Sequence, residues 1–240
     1  MRNNTDGKKK VEKKSIVLTP EFVSDDIYQT LKRYPFKNIL DAGCFDGSMS
    51  KYFRRKKNSK IIGLDVIDDY ESKFDTFIHK DFLECTKEDF EDLKIDLVVS
   101  NPPFGMNKQH GALYPDLFLK KIFELFGDKM PVVLIAGHWF LSNNSSRIQY
   151  LNSLNMTKNT TLHKNAFAGC GVSVEANILY FNIRLKDKSS ILDVKKIEKK
   201  QKFKTVAFSD AQMVYMKDNI DNFSGTIKQL IKSEYPDFPM

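Results

Sequence analysis

The stretch Asn38-Ile-Leu-Asp41-Ala-Gly43-Cys-Phe-Asp-Gly47 passes from apolar residues through a carboxylate into two glycines four positions apart. Glycine at the end of a strand lets the backbone turn sharply and lets a ligand approach closely. The pattern differs from GxGxxG, which seats a pyrophosphate at a helix N-terminus. Asp41 would repel such an anion, so the stretch favours a cofactor with an ammonium or sulfonium group. An ordinary tight βα turn is the alternative interpretation.

Short apolar runs alternate along the chain with segments of helical periodicity, which include residues 48–55 and 117–126. The runs are rich in β-branched or aromatic residues, so each predicts a strand. Strands that alternate with helices imply a mostly parallel sheet with helices on both faces. The predicted strands cover residues 38–40, 61–64, 76–78, 95–99, 132–136 and 177–181.

The 240 residues include 41% hydrophobic and 29% charged side chains, which is close to the average of globular domains. No run of about 18 apolar residues occurs, so we expect no membrane span, and the polar N-terminus predicts no secretory signal. Three cysteines without a CxxC pair and four scattered histidines predict neither disulfides nor a metal site. We therefore expect an intracellular, cytoplasmic protein.

The net charge of +7 is unevenly distributed along the chain. Residues 1–18 and 186–204 are strongly basic, whereas the basic and acidic side chains of residues 19–185 balance. This distribution suits a catalytic domain that meets a polyanion at its edges, although solubilising tails would look the same. We expect a disordered basic tail at 1–15, a catalytic domain at 16–185, and a lysine-rich segment with a small appendage at 186–240.

Acidic residues follow the second and third predicted strands. Asp65 ends the second strand, about 20 residues after the glycine turn, where a carboxylate can accept hydrogen bonds from ribose hydroxyls. Asp81 and Phe82 follow the third strand, where a carboxylate beside an aromatic ring can bind a purine. Each signal alone is weak, because acidic residues often cap strand ends. The short connection from Asp65 to Asp81 predicts a loop or a single turn in place of a crossover helix.

The sharpest signal is Asn101-Pro102-Pro103-Phe104, directly after the fourth predicted strand. Two prolines make a rigid turn whose carbonyl groups are free to accept hydrogen bonds. Asn101 adds a side-chain acceptor, and Phe104 adds a flat ring on which a base can stack. The combination favours a planar ring that carries an amine.

In this order the motifs resemble those of class I S-adenosylmethionine-dependent methyltransferases of the N6-adenine type, in the arrangement of the gamma class. The resemblance covers about residues 17–184. It implies a Rossmann-like α/β fold with a mostly parallel seven-stranded sheet, and S-adenosyl-L-methionine as the cofactor. It also implies that the cofactor is bound by Thr19, Pro20, Asp41, Gly43, Gly47, Asp65, Asp81 and Phe82.

The resemblance implies a catalytic role for Asn101, Pro102, Pro103 and Phe104, which match the tetrapeptide of enzymes that methylate amino groups. Phe167 begins a segment that resembles the late hairpin whose aromatic residue holds a flipped base, so Phe104 and Phe167 are the implied substrate-binding pair. The Thr19-Pro20 motif favours DNA as the partner, which would place the protein at the nucleoid. RNA adenine is the alternative. Protein glutamine is less well supported, because those enzymes usually carry Tyr in place of Phe104.

Overall fold

The computed structural model describes residues 17–141, 145–170, 174–185 and 189–192. The predicted tail at 1–15 and most of the predicted segment at 186–240 lie outside these residues. Three α-helices are present in the described part: α1 (Glu21–Leu31), α2 (Tyr114–Phe126) and α3 (Ser145–Ser153). The strands are β1 (Asn38–Ala42), β2 (Lys60–Asp65), β3 (Thr76–His79), β4 (Leu97–Ser100), β5 (Met106–Asn107), β6 (Ala112–Leu113), β7 (Val132–Gly137), β8 (Met156–Leu162), β9 (Ala176–Phe181) and β10 (Ser189–Leu192).

The main sheet has the order β10-β8-β9-β7-β4-β1-β2-β3. Only β9 runs antiparallel to its neighbours, so the sheet is mostly parallel, as predicted. All six predicted strands form, and β8 completes a set of seven that the short strand β10 extends at one edge. The polar sequence of β8 has no apolar run, which explains why the sequence did not predict it. Strands β5 and β6 form a separate two-stranded hairpin.

Helices cover both faces of the sheet. Alternate residues of each strand point to opposite sides, so each face has its own apolar cluster. On one face Ile39 of β1 packs in a cluster with Val23 and Ile27 of α1. On the other face Leu40 packs in a cluster with Ile122 of α2. The predicted α/β architecture with two helical layers is therefore confirmed. No helix of the described residues is long and apolar enough to cross a membrane.

The helical layer is thin on the α1 face beside β1 and β2. The predicted helix over residues 48–55 is wrong: a 3₁₀ turn over Lys51–Arg55 takes its place. The β2–β3 connection contains only a 3₁₀ turn at Glu71–Lys73, which confirms the predicted short crossover. An open cleft of about 640 Å³ lies between these two segments, and Phe74 lines it.

Phe74 covers β2 where a crossover helix would ordinarily lie, and the absence of a side chain at Gly63 makes this possible. A Cβ atom at Gly63 would lie only 2.5 Å from Phe74 Cγ and 2.6 Å from Cδ1. These atoms are near the root of the side chain, so the ring cannot move aside without displacing its backbone.

Gly63→Ala should therefore destabilise the fold by about 1–3 kcal/mol, the usual cost of overpacking a core. Thermal or urea unfolding will measure the change. Gly169→Ala is the matched control, because an added Cβ there would meet no atom within 4 Å. Equal stability of the two variants would contradict this account of Phe74.

Candidate active site

The register of the parallel strands brings the predicted strand-end residues to one edge of the sheet. Asp41 of β1 pairs with Gly63 of β2 on one side and with Val99 of β4 on the other. Asp65 and Asn101 each lie two residues beyond those partners, at the carboxyl ends of their strands. This edge is where open parallel sheets bind ligands.

The glycine turn has the backbone that its sequence predicts. Gly43 and Gly47 adopt φ angles of 72° and 74°, in the left-handed region that favours glycine. The N–H groups of Gly43 and Cys44 both donate to the Leu64 carbonyl, at 2.8 and 3.1 Å. The turn is thus attached to the end of β2. Phe45, the residue after Cys44, also donates its N–H to Asp65.

Asp41 lies beneath this turn with only 1% of its surface exposed. The hydroxyl and N–H of Ser50 are the donors beside it, but neither carboxylate oxygen has a partner with full hydrogen-bond geometry among the described residues. Burial raises the pKa of Asp41 to about 8, and the nearby hydroxyl and N–H of Ser50 only partly oppose this rise. A cation bound at the turn would stabilise the ionised form of this carboxyl group.

Asp65 is almost as buried, but its carboxylate has partners. It accepts a hydrogen bond from the Phe45 N–H at 2.8 Å and another from the Ile67 N–H at 3.0 Å. Burial raises the pKa of Asp65, and these two bonds act in the opposite direction. Since a carboxylate can accept about four hydrogen bonds, Asp65 retains acceptor capacity.

Asp81 and Phe82, the predicted purine-binding pair, differ in exposure: Asp81 lies at the surface and Phe82 in the core. Asp81 is exposed, and its side chain accepts a bond of 2.9 Å from the Leu83 N–H at the start of a 3₁₀ turn. Phe82 is buried and packs against Phe118 of α2, with 4.9 Å between ring centroids. In this arrangement Asp81 is available to a ligand, whereas the Phe82 ring belongs to the core.

Asn101 is held by the segment that precedes α1. Its amide nitrogen donates to the Val17 carbonyl at 2.9 Å and to the Thr19 hydroxyl at 3.0 Å. A carbonyl oxygen can only accept, so the nitrogen must face Val17, and Oδ1 points the other way. Oδ1 is buried and has no hydrogen-bond partner within the part of the chain that the structure describes.

The prolines and Phe104 complete the turn after β4. Pro102 is buried and Pro103 is half-buried. The Phe104 ring meets the Phe167 ring edge-on, with centroids 6.0 Å apart and an interplanar angle of 88°. The structure thus brings the two predicted aromatic residues together, but Phe167 is fully buried, while Phe104 is only half-buried.

Thr19 and Pro20 connect this turn to the glycine turn. The Thr19 N–H donates to the Ser48 hydroxyl at 3.2 Å, just after Gly47. The Pro20 carbonyl accepts from the N–H groups of Val23 and Ser24 at the start of α1. Sequence reasoning predicted a cofactor contact for Thr19 but missed its bond to Asn101, because no local pattern links residues 82 positions apart.

The thiol of Cys44, in the glycine turn, is not a candidate nucleophile. Cys44 is buried, and burial raises the pKa of its thiol, so the thiol stays protonated. No group of three or more His, Cys, Asp or Glu side chains could hold a metal ion within the described ranges.

No protein-family model and no curated protein matches the chain, but solved structures do. A modification subunit of a putative type I restriction enzyme from Vibrio vulnificus YJ016 has a TM-score of 0.55 and 14% identity, over 77% of this chain and 48% of that one. A type I restriction-modification methyltransferase subunit from Streptococcus thermophilus has a TM-score of 0.55 and 11% identity, over 85% and 50%. A putative class I S-adenosylmethionine-dependent methyltransferase from Listeria monocytogenes has a TM-score of 0.54 and 12% identity, over 78% and 68%.

The chain spans about half the length of the two type I subunits. At these identities the similarity establishes the fold, which is the Rossmann-like fold of class I methyltransferases. It is the fold class that the sequence predicts.

The raised pKa of Asp41 has a consequence for stability without ligand. The unfolded chain releases this proton near pH 4, whereas the folded chain holds it to about pH 8. The unfolded state therefore binds fewer protons in this window, and the contribution of Asp41 to stability falls as the pH rises.

Asp41→Asn should remove this dependence, because the amide does not titrate. We expect the melting temperature of the variant, relative to that of the wild type, to rise steadily between pH 5 and pH 8. Scanning fluorimetry in matched buffers will measure the difference. Parallel pH profiles for the two proteins would show that Asp41 is ionised in the fold throughout this range.

Proposed function

We propose that this protein is an S-adenosylmethionine-dependent methyltransferase that methylates the N6 amine of adenine in DNA. The observation that carries the proposal is the state of Asn101, whose Oδ1 is a buried acceptor without a partner among the described residues. Leaving such an acceptor unsatisfied costs about 1–3 kcal/mol. A substrate that donates an N–H at this point would recover that cost.

The residues of the glycine turn fit the cofactor. The unpartnered Asp41 carboxylate suits a ligand with cationic groups, since a nearby cation would favour its ionised form. Asp65 retains acceptor capacity for ribose hydroxyls at the neighbouring strand end. The cofactor would supply a methyl group on a positively charged sulfur. Gly43 leaves little room for a side chain, because a Cβ there would lie 3.3 Å from the Phe118 ring.

Catalysis requires no nucleophilic side chain. The N6 amine of adenine is a poor nucleophile, because its lone pair is delocalised into the ring. If Asn101 Oδ1 and the Pro102 carbonyl accept hydrogen bonds from its two N–H groups, the nitrogen becomes more tetrahedral and its lone pair is directed at the methyl group. The methylated amine would then release one proton to water. Such fixed acceptors act by positioning and by electrostatic stabilisation.

Access to Asn101 requires movement at the turn. Oδ1 is shielded from water, so an amine can reach it only after neighbouring groups shift. Phe104 is half-buried against Phe167. The Phe104 ring would stack on the base as the base enters the site. An extruded base held by an aromatic face is the usual arrangement in enzymes that modify bases.

Exposed apolar side chains occur beyond the ends of two strands at the edge that carries the site. Three large apolar side chains of the described residues are exposed, namely Val66, Met106 and Trp139. Val66 and Trp139 lie just beyond the carboxyl ends of β2 and β7, whereas Met106 begins β5, six residues after β4 ends. Val66 and Trp139 are therefore candidates for contact with a substrate at this edge.

The fold similarity supports DNA as the substrate. Two of the similar structures are named as a modification subunit of a putative type I restriction enzyme and as a type I restriction-modification methyltransferase subunit. The basic sequences of residues 1–18 and 186–204 would supply positive charge for contacts with phosphates.

The direct test incubates the protein with tritiated S-adenosylmethionine and separate pools of DNA, RNA and protein. We expect label in DNA, with N6-methyladenine identified by mass spectrometry. Label confined to RNA would assign the alternative substrate. Label in protein, or on a base carbon, would overturn the proposal.

Asn101→Ala should lower turnover by roughly 10²–10³-fold, the usual effect of losing one preorganised polar group. The affinity for S-adenosylhomocysteine, measured by calorimetry, should stay nearly unchanged, because the lost contact forms with the substrate amine. Asn152→Ala is the matched control, since that side chain is exposed on α3. Wild-type turnover by Asn101→Ala would refute the mechanism.

Trp139 lies just after β7, which pairs directly with β4, the strand that precedes the turn. Trp139→Ala should raise the KM for DNA, as stacking of a base on an aromatic ring contributes about 1–3 kcal/mol. Trp139→Phe keeps a ring and should retain most of the affinity. Steady-state kinetics at saturating cofactor will compare the two, and an unchanged KM in Trp139→Ala would exclude this contact.

A further inference from the structure

The geometry points to a positioning role for Thr19, which together with the Val17 carbonyl fixes the orientation of the Asn101 amide. This inference rests on the proposed function, in which Asn101 Oδ1 receives the substrate amine. It differs from the role that the sequence resemblance implies for Thr19, which is contact with the cofactor.

Two hydrogen bonds hold the side-chain nitrogen of Asn101. Asn101 Nδ2 has two N–H groups, and two acceptors lie at 2.9 and 3.0 Å from it. With one bond the amide could still rotate about its last torsion angle. With two it is held in a single plane, so the direction of Oδ1 is fixed as well.

The Thr19 hydroxyl acts as an acceptor toward Asn101. Because this oxygen accepts from Asn101, its own proton must point elsewhere, and Met49 Sδ lies 3.8 Å away as a weak acceptor. Thr19 and Met49 are both buried, at 5% and 2% exposure, so water does not compete. The hydroxyl therefore presents a lone pair to Asn101 rather than a proton.

Thr19 is itself held in place by Ser48, and so is the segment around it. Its N–H donates to Ser48 Oγ at 3.2 Å, and Ser24 Oγ donates to the Ser48 carbonyl at 2.5 Å. Residues 17–24 are thus attached to the backbone that follows Gly47. The acceptor for the substrate and the turn proposed to bind the cofactor share one support, which fixes the distance between them.

Removal of the hydroxyl should release one N–H of Asn101 and let the amide rotate. In Thr19→Val we expect the single-turnover rate of methyl transfer to fall about 10- to 100-fold, the scale of a misplaced catalytic group. The dissociation constant for S-adenosylhomocysteine should stay within about twofold of wild type. Thr19→Ser retains the hydroxyl and should recover most of the rate.

Thr157→Val is the matched control for loss of a threonine hydroxyl. Thr157 donates to the Tyr180 carbonyl at 3.2 Å in the β8–β9 pair, at the opposite edge of the sheet from the site. It should keep the wild-type rate. If Thr19→Val does not fold, Thr19→Ala replaces it, because the smaller side chain introduces no branched carbon in place of the oxygen.

A second measurement does not depend on activity. The side-chain NH₂ resonances of Asn101, assigned by their loss in Asn101→Ala, should show slow exchange of both protons in the wild type. In Thr19→Val one proton should exchange faster, and in Thr19→Ser it should not. If the wild type methylates no substrate while this pattern holds, the proposed function fails and the anchoring of the amide stands.

Three results would overturn the positioning role. The first is an unchanged rate and unchanged exchange in Thr19→Val. The second is a cofactor affinity that falls in parallel with the rate, which would assign Thr19 to cofactor binding alone. The third is the absence of rescue by Thr19→Ser, which would assign the effect to packing.

Discussion

The parallel pairing of β1 with β2 and β4 is the constraint on which the site depends. Because Asp41 is in register with residues of both neighbours, the ends of three strands meet at one edge. The Ser100 hydroxyl strengthens this junction by donating to the Ala42 carbonyl at 2.6 Å, across the β1–β4 boundary. A shift of one residue in either pair would turn Asp65 or Asn101 to the opposite face of the sheet.

Two of the buried polar groups without partners in the described structure, the Asp41 carboxyl and Asn101 Oδ1, lie at this edge. The others are Ser50 Oγ, beside Asp41, and side-chain atoms of Asn159, Asn177 and Tyr180 in β8 and β9. Elsewhere in a folded protein such groups are almost always paired, since the cost of leaving them unpaired is of the same order as a sizeable part of the net stability. In the proposed function the cofactor would satisfy the Asp41 carboxyl and the substrate amine Asn101 Oδ1, so binding would recover stability that the free protein lacks.

The strand-end residues were predictable because each lies next to the local pattern that identifies it, as Asp41 precedes its glycines and Asn101 its prolines. The hydrogen bonds that orient them were not. Asn101 bonds to Val17 across 84 positions, and only the folded topology brings the two together. Strand β8 was missed because its burial depends on neighbouring strands rather than on its own composition. The burial of Phe167 could not be predicted either, because it also depends on neighbouring elements.

The helical layer near β2 is thin, so few residues support the glycine turn and the end of β2 from this side. A crossover helix would ordinarily cover this face, but here one ring, Phe74, packs on Gly63 and also lies within 3.1 Å of where a Cβ of Gly47 would be. The ring thus contacts both the strand that carries Asp65 and the turn that follows Asp41. With so few residues behind the turn, much of its rigidity has to come from the other side. The segment from Val17 to Ser24 supplies it, through the bonds of Thr19 and Ser24 to Ser48. A segment at the start of the fold therefore stabilises both the turn and the amide of Asn101, although it contributes no strand to the sheet.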